Sequence, residues 1–541
     1  MSARTHVGHG LLKRLVNPGR QRFARALNQL EQVQRQLLSR WLATASRAPY
    51  WQKRGVKANW TWEAFTSQVP LSSYADYAQT LNDQRTAQRA LLMDSPVARY
   101  QPTSGSTSAV KWIPYTKLFL NELDDAISAW VGDLYEQFPA QGKGRHYWSL
   151  SWIPTHLRAE TAGDINDDMK MLSWGKRLLA YLTQAVPQEV AQAETLEDSL
   201  FGTVAYLCAD RQLGFISVWS PTFGINVLEY ISSWRQELAT VLQQGRWGRR
   251  ADRMAGVRCP RSAHAARLLS EWDGQLTPDF FQRLWPTLAL VSAWDTAAAA
   301  PWARSLQSKL PHAVFQGKGL WATEGVVTIP FQGRFPLAYR SHVYEFIDLQ
   351  DHRVLAPWQL QEGQEVMPVI TTGSGLARYR MNDVLKVSGF LGQVPCLDFL
   401  GRNDGVDLVG EKISATTAQT ILDTLPLGST AMPVTLLALD ELKGGRPGYV
   451  LLAECATEPD AEQARALSSH LEQSLQDHFH YKLARELGQL QEAQCVLRQD
   501  MRDIYLSLCR DRGMIDGNIK VEPLRHWPGP TPEALRPLLQ A

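Results

Sequence analysis

The segment YQPTSGSTSAVKWIPYT, from Tyr100 to Thr116, is the most informative stretch of the chain. Gly105 lets the backbone fold tightly, so that amides and neighbouring hydroxyls can converge on an anion, and Lys111 adds a positive charge nearby. A stretch rich in Ser and Thr is also typical of a solvated turn. The segment therefore suggests a phosphate-binding loop, although it lacks the Walker A spacing. The proposed loop residues are Thr103, Ser104, Gly105, Ser106, Thr107 and Ser108.

A second segment, QGKGLWATEGVVTIPF from Gln316 to Phe331, places Thr323 and Glu324 directly after a predicted strand and before a glycine. A carboxylate at a strand end can hold Mg²⁺ beside bound phosphates, because that ion needs few protein oxygens when phosphates supply the others. The alternative is a helix N-cap or an exposed turn.

Two further segments lie downstream. In GLARYRMNDVLKVSGF, Gly375 to Phe390, Asp383 stands where a strand begins. An Asp in that position can accept two hydrogen bonds from a ribose diol, and the alternative is a solvated surface residue. The fourth segment, FLGRNDGVDLVGEKIS, Phe399 to Ser414, lies where the pattern of predicted helices and strands changes, at a proposed domain boundary.

The chain alternates helical and β-rich patterns up to this change, which is typical of α/β layers. Apolar residues at helical spacing predict an amphipathic helix over about residues 20–46. The predicted strands lie within LGFISVW (213–219), LALVSAW (288–294), AVFQGKG (313–319), HVYEFIDL (342–349) and PVITTGSG (368–375).

After Lys412 the sequence predicts a small α+β domain: a helix in ATTAQTILDTL, strands in PVTLLAL and GYVLLAEC, and then a long helix. Apolar residues repeat every four positions along that helix and predict one buried face. These residues are Leu467, Leu471, Leu475, Phe479 and Leu483. We therefore expect residues 1–410 to form a large N-terminal domain and residues 411–541 a smaller C-terminal one.

Composition excludes some classes of protein. The chain has 541 residues with 56 basic and 54 acidic side chains, and a formal net charge of +2 gives no long-range attraction for nucleic acid or anionic lipid. Six cysteines without CxxC pairs indicate neither a disulfide framework nor a zinc site. The N-terminus lacks the apolar core of a secretory signal. These features favour a cytoplasmic enzyme, monomeric, without nucleic-acid or membrane partners.

In their order and spacing, the four segments resemble the acyl acid amido synthetases of the auxin-responsive promoter family, a branch of the adenylate-forming superfamily. The resemblance extends from about Tyr100 to Ser414 and continues weakly to the C-terminus. It implies a large N-terminal adenylate-forming α/β domain that binds ATP and the acyl acid. It also implies a mobile C-terminal α+β domain that closes over the active site.

The resemblance also implies roles for individual residues. The family's phosphate loop falls on Thr103 to Lys111, its AMP-contacting motif on Thr323, Glu324 and Gly325, and its adenine-side strand on Tyr344, Glu345 and Phe346. Its ribose-binding Asp corresponds to Asp383, its boundary motif to Arg402 and then Lys412, and its late catalytic lysine to Lys520. Glu324 is then the expected Mg²⁺ ligand.

The chain departs from the family pattern at three places. Ala109 stands in the loop where Gly is usual, and Asn382 stands where YRMND would have Gly. Asn tolerates a left-handed backbone better than other non-glycine residues, whereas Ala109 requires the loop to keep a negative φ. The C-terminal motif reads KVEPLR, Lys520 to Arg525, with extra residues before the Pro-Arg pair of the family.

The implied reaction is ATP- and Mg²⁺-dependent activation of a small carboxylic acid as an acyl-AMP, followed by transfer to an amine such as an amino acid. Lys520, Lys412 and Glu324 are the residues expected to act in catalysis. Two alternatives remain: an acid:CoA ligase that forms a thioester, and a nucleotide-binding protein that has lost catalysis.

Overall fold

The computed structural model describes residues 3–102, 111–149, 152, 182–403, 405–428, 431–442, 445–457, 461–514 and 519–540. The α-helices in these ranges are α1 (Ala3–Arg25), α2 (Leu30–Ala45), α3 (Pro49–Gln52), α4 (Trp62–Gln68), α5 (Ala78–Ala87), α6 (Lys117–Gln137), α7 (Leu196–Ala209), α8 (Pro221–Ser233), α9 (Arg235–Gln244), α10 (Ala263–Glu271), α11 (Pro278–Leu284), α12 (Ala300–Lys309), α13 (Ala415–Thr424), α14 (Ala461–Gln476), α15 (Phe479–Glu486), α16 (Met501–Asp511) and α17 (Arg536–Gln540).

The strands within the described ranges fall into three larger sheets and three two-stranded ribbons. They are β1 (Val97–Pro102), β2 (Trp112–Thr116), β3 (Arg145–Trp148), β4 (Leu213–Ser217), β5 (Leu290–Ser292), β6 (Val314–Gln316), β7 (Trp321–Ala322), β8 (Gly325–Val326), β9 (Val343–Asp348), β10 (Val354–Leu355), β11 (Glu365–Thr371), β12 (Tyr379–Arg380), β13 (Asp383–Leu391), β14 (Val394–Arg402), β15 (Gly405–Val406), β16 (Ile413–Ser414), β17 (Ala431–Leu439), β18 (Gly448–Cys455), β19 (Gln494–Arg498) and β20 (Leu524–Trp527).

A parallel sheet forms the first layer, with strand order β3-β4-β5-β6. All five residues of β4 are buried, as expected of a strand covered by helices on both faces. Residues from α7 to α12 pack with this sheet in one apolar core. The five strands expected from the β-rich runs are present as β4, β5, β6, β9 and β11, and the expected α/β class is confirmed.

An antiparallel sheet with the order β10-β9-β11-β13-β14 follows. All six residues of β9 are buried. The pairing of β13 with β14 sets Asp383, at the start of one strand, opposite Arg402, at the end of the other. Two residues that are 19 positions apart in sequence therefore lie side by side at the same end of two neighbouring strands.

The C-terminal sheet has the order β19-β18-β17-β20 and two differently covered faces. Leu436 and Leu451 pack in a core with α13 and α14. Leu437 and Leu452, one position along each strand, pack in the core that also holds α16 and the helices of the parallel sheet. This alternation is the two-residue period of a β-strand. The domain boundary after residue 410 stays a prediction.

The predicted helix over residues 20–46 is wrong in its continuity, because α1 ends at Arg25 and α2 begins at Leu30. The carbonyl of Leu27 accepts a hydrogen bond from the Gln393 amide, 2.9 Å away, instead of continuing the helix. The turn between the two helices is thus held by the β13–β14 hairpin.

The predicted long C-terminal helix is also divided. His478 has an extended backbone (φ −91°, ψ 116°), and the chain restarts as α15 with a new phase. Leu467, Leu471 and Leu475 are buried as expected, but Phe479 is 72% exposed because Tyr481 takes the inward position. Leu483 is likewise exposed.

Among the described residues no helix combines the length and the apolar character that a membrane crossing requires.

Candidate functional site

A polar cavity collects the predicted site residues from four distant parts of the chain. Its lining includes Lys111, Thr323, Glu324, Asp383, Arg402 and Lys520. Its polar wall is completed by Tyr379, Asn382, Glu522 and Arg525. Residues as far apart in sequence as Lys111 and Arg525 therefore meet at one place.

The expected phosphate loop can be placed only in part. Thr103, Ser104, Gly105, Ser106, Thr107, Ser108 and Ala109 lie outside the described residues. The flanking strands β1 and β2 pair antiparallel, with Pro102 opposite Trp112. Lys111, next to β2, reaches the polar cavity.

Thr323 and Glu324 are the two central residues of the tight β7–β8 turn, in which Ala322 pairs with Gly325. The Thr323 carbonyl accepts a hydrogen bond from the Tyr115 hydroxyl at 3.2 Å. The Tyr379 hydroxyl donates to the Glu324 carboxylate at 3.4 Å. Thr323 and Glu324 therefore lie directly after a strand, as expected. The hydroxyls of Tyr115 and Tyr379, from other parts of the chain, hold the turn in place.

His342 supports this turn from behind. Its Nε2 accepts a hydrogen bond from the Val326 amide at 3.2 Å, so its Nδ1 carries the proton donated to Glu122 at 2.8 Å. The Glu122 carboxylate also accepts from the Gly373 amide at 2.8 Å. A Cβ on Gly325 would lie 3.0 Å from His342 Nε2, so a side chain there would require the imidazole ring to shift by a few tenths of an ångström.

Asp383 and Arg402 form the strand-edge part of the cavity. The Asp383 side chain lies 4.0 Å from Arg402 Nε, and Asp383 is 8% exposed. Asn382 is not among the residues with positive φ, so a side chain is tolerated at this departure from the family pattern. Asn382 therefore fits at the position where the family has glycine, and Asp383 still follows it at the start of β13.

Tyr344 does not line the cavity. Its ring is fully enclosed, and its hydroxyl donates to the Val326 carbonyl at 2.7 Å. Burial raises the pKa of this hydroxyl. A direct contact of Tyr344 with a nucleotide stays a prediction, and in this position the residue supports the β7–β8 turn.

Glu345, beside it, forms a buried bidentate pair with Arg378, with both N–O distances 2.8 Å. Arg378 also donates to the carbonyls of Thr66 and Val69. Burial raises the pKa of Glu345 although Arg378 opposes the shift. The pair ties α4 to the antiparallel sheet beneath the cavity.

Glu345→Gln is expected to lower the free energy of unfolding by about 3–5 kcal/mol, because the buried guanidinium of Arg378 loses its anionic bidentate partner. Denaturant unfolding followed by circular dichroism measures the change. Glu63→Gln is the matched control: Glu63 pairs with Arg35 on the surface, and its loss should matter little. Equal effects of the two substitutions would contradict the assignment.

Lys412 lies away from the cavity lining. Its side chain is exposed, and its backbone adopts a left-handed conformation with φ +50°. Glu411 beside it is buried and accepts hydrogen bonds from the amides of Leu408 and Val409 and from the Tyr449 hydroxyl. A catalytic role for Lys412 stays a prediction. In the structure, Lys412 lies in the segment that joins β15 to β16.

Lys520 reaches the cavity despite the altered C-terminal motif. Its Nζ lies 4.9 Å from the centre of the Trp294 ring. Its carbonyl accepts hydrogen bonds from the Tyr505 hydroxyl at 3.3 Å and from Arg525 at 3.4 Å. The extra residues of KVEPLR therefore still bring both Lys520 and Arg525 to the site.

An apolar cavity adjoins the polar one. Trp294, Trp302, Trp321 and Phe399 form its walls. Both cavities share Leu320, Arg402, Lys520 and Glu522. A ligand with a charged part and a flat apolar part could occupy them together.

Sequence reasoning missed Lys318, which is 1% exposed. Its Nζ donates to Ser217 at 2.7 Å and lies over the rings of Trp130 and Trp219. Gly317 and Gly319 flank it directly after β6, at the carboxyl edge of the parallel sheet where ligands bind in such folds. A lysine between two glycines at a strand end is the signal that could have indicated it.

Comparison with known families gives three matches in order along the chain. They are the GH3 family N-terminal domain over residues 19–314, the GH3 family central domain over residues 335–402 and the GH3 family C-terminal domain over residues 417–528.

Two relatives are plant enzymes. The indole-3-acetic acid-amido synthetase GH3.15 of Arabidopsis thaliana is 21% identical over 378 residues, covering 62% of this chain and 62% of its own. The jasmonoyl–L-amino acid synthetase JAR6 of Nicotiana attenuata is 21% identical over 413 residues, covering 69% of each chain.

Two solved structures share the fold. GH3.15 acyl acid amido synthetase superposes with a TM-score of 0.77 at 16% identity, covering 95% of this chain and 94% of its own. A 2-hydroxyisobutyryl-CoA ligase in its postadenylation state superposes with a TM-score of 0.50 at 12% identity, covering 96% and 91%.

Proposed function

The chain belongs to the GH3 family, and from this membership we propose that it activates a carboxylic acid with ATP as an acyl-AMP and passes the acyl group to the amine of an amino acid. One observation carries the proposal. Six residues expected to handle a nucleotide, from Lys111 to Lys520, line a single polar cavity. The relatives named as amido synthetases support the choice of acceptor.

Asp383 and Arg402 would hold the ribose. An ionised carboxylate can accept hydrogen bonds from both hydroxyls of the diol, and the guanidinium beside it can donate to the same oxygens. Arg402 also lines the apolar cavity, so a base attached to this ribose would enter between Trp294 and Phe399. We place the adenine there.

Lys111, the Thr323–Glu324 turn and the Ser/Thr-rich segment from Thr103 to Ser108 would surround the phosphates. The donor set suits Mg²⁺, because Glu324 offers one carboxylate and a nucleotide supplies further oxygens. Bound there, Mg²⁺ would neutralise phosphate charge. No trio of His, Cys, Asp or Glu in the described ranges could hold a metal by itself.

Adenylation brings two anions together, since a carboxylate oxygen must attack the α-phosphorus while pyrophosphate leaves. Positioning and charge neutralisation therefore supply most of the catalysis. Lys520 would do this from the C-terminal segment, and its position in the lining of both cavities supports that role. The acid would lie toward the ring cluster of Trp130, Trp219 and Trp321 around Lys318.

In this proposal residues 411–541 form a domain that turns between the two half-reactions, and Lys520 acts in the first of them. We also propose a monomeric cytoplasmic enzyme that uses neither nucleic acid nor a membrane. Six free thiols support the cytoplasmic location, and the near-balanced charge supports the absence of nucleic-acid and membrane partners.

A panel of aryl and alkyl carboxylic acids scored by ATP–pyrophosphate exchange tests the function. An accepted acid should give exchange that requires Mg²⁺, and AMP rather than ADP should accumulate, because acyl-AMP formation is attack at the α-phosphorus with release of pyrophosphate. Adding amino acids should then give an amide, detected by mass spectrometry.

The same assay separates the rivals. Adding CoA in place of an amino acid should give little thioester, and efficient thioester formation would identify an acid:CoA ligase. Formation of ADP would reject adenylation. Absence of exchange with every acid, in a protein that still binds ATP, would favour the nucleotide-binding protein without catalysis.

A further inference from the structure

We propose that Glu522 is a positioning residue: its carboxylate ties Arg402 to the backbone that carries Lys520 and so holds the C-terminal segment over the cavity for acid activation. The inference rests on the proposed function for its kinetic part. The tie itself concerns only the position of the segment, and it can be tested without catalysis.

Glu522 stands two residues after Lys520 and lines both cavities. One carboxylate oxygen accepts a hydrogen bond from Arg525 at 2.9 Å, and the other lies 3.5 Å from Arg402. Its side chain is only 15% exposed. Burial acts to raise the pKa of Glu522, but the charges of Arg525, Arg402 and Lys520 outweigh it and hold the pKa below its usual value. The carboxylate therefore stays ionised at neutral pH.

The contact with Arg402 crosses the proposed boundary. Arg402 is the last residue of β14 in the antiparallel sheet, whereas Glu522 directly precedes the β20 region of the C-terminal sheet. Arg402 also lies 4.0 Å from Asp383. If the C-terminal domain turns away, this ion pair must break, so it exists only while Lys520 is at the cavity.

The contact with Arg525 acts on Lys520 itself. Arg525 donates both to the Glu522 carboxylate and to the Lys520 carbonyl, so the carboxylate fixes the guanidinium that fixes the lysine backbone. Without Glu522, three cations, Lys520, Arg402 and Arg525, would face one another at the cavity wall. Their repulsion would favour displacement of the segment.

Glu522→Gln keeps the shape of the side chain and removes its charge. We expect exchange kcat to fall by about 10- to 100-fold, as for loss of one charge-assisted contact, with KM for ATP changing less than about threefold. Transfer from supplied acyl-AMP should stay near its original rate. Glu486→Gln, at an exposed position of α15, is the matched control and should leave both reactions unchanged.

Limited trypsin digestion supplies the readout that needs no catalysis. Cleavage after Lys412, followed by mass spectrometry, should be faster in Glu522→Gln than in the original protein or in Glu486→Gln. Faster cleavage supports the tie even if no acid is activated by the original protein. Unchanged cleavage overturns the proposal, and so does an equal loss of both half-reactions, which would indicate a merely structural role.

Discussion

Lys520→Ala is expected to lower ATP–pyrophosphate exchange by about two to three orders of magnitude, the loss typical of removing one transition-state charge partner. Lys520 lines both cavities, and its Nζ lies 4.9 Å from the centre of the Trp294 ring. In the proposed reaction it would neutralise charge between the carboxylate and the α-phosphate from there. That task ends when pyrophosphate leaves, so transfer from supplied acyl-AMP to the amine should stay nearly normal.

Measuring the two half-reactions separately decides the role of Lys520. Lys482→Ala, at an exposed position of α15, is the matched control and should leave both rates unchanged. An equal loss in both half-reactions of Lys520→Ala would indicate misfolding or a shared role. No loss in either would transfer the catalytic assignment to Lys412.

Asp383→Ala should weaken ATP binding by about 1.5–3 kcal/mol, which corresponds to roughly 10- to 150-fold in affinity. The loss follows from hydrogen bonds between ribose hydroxyls and a charged acceptor. Because Arg402 lies 4.0 Å away, the substitution also removes one of the two carboxylates beside that guanidinium, and Glu522 remains at 3.5 Å. Isothermal titration calorimetry with ATP measures the effect directly.

Asp398→Ala is the control for this measurement, since Asp398 is an exposed residue of β14 on the same hairpin. It should leave ATP affinity within about 0.5 kcal/mol of the original value. Unchanged ATP affinity in a folded Asp383→Ala protein would remove Asp383 from the ribose site.

Motif order was the strongest signal in the sequence, because the chemistry of a nucleotide site needs particular residue types at strand ends. The placement of Glu324 in the β7–β8 turn and of Asp383 at the start of β13 agrees with that pattern. Strands were also predictable, since short runs rich in apolar and aromatic residues, such as those of β4 and β9, stand out in composition.

Contacts between distant segments could not be predicted from the sequence. The helical spacing of apolar residues continues past Leu27, so the sequence predicted one helix where there are two. The hydrogen bond from the Gln393 amide that stabilises the turn has no local sequence signal. The break between α14 and α15 at His478, after which a different set of residues faces the core, likewise depends on tertiary packing. Glu522 and Lys318 look like ordinary charged surface residues until the fold buries them among cations and aromatic rings.

The left-handed backbone of Lys412 would affect the relative populations of the two proposed arrangements of the C-terminal domain. A non-glycine residue at φ +50° raises the energy of the arrangement that contains it by about 1–2 kcal/mol. If Lys412 relaxes when the C-terminal domain turns, that energy shifts the balance between the two arrangements by about 5- to 30-fold toward the turned one. The contacts around Glu522 and Glu411 would oppose this bias, so a substitution that removes one of them should move the distribution further toward the turned arrangement.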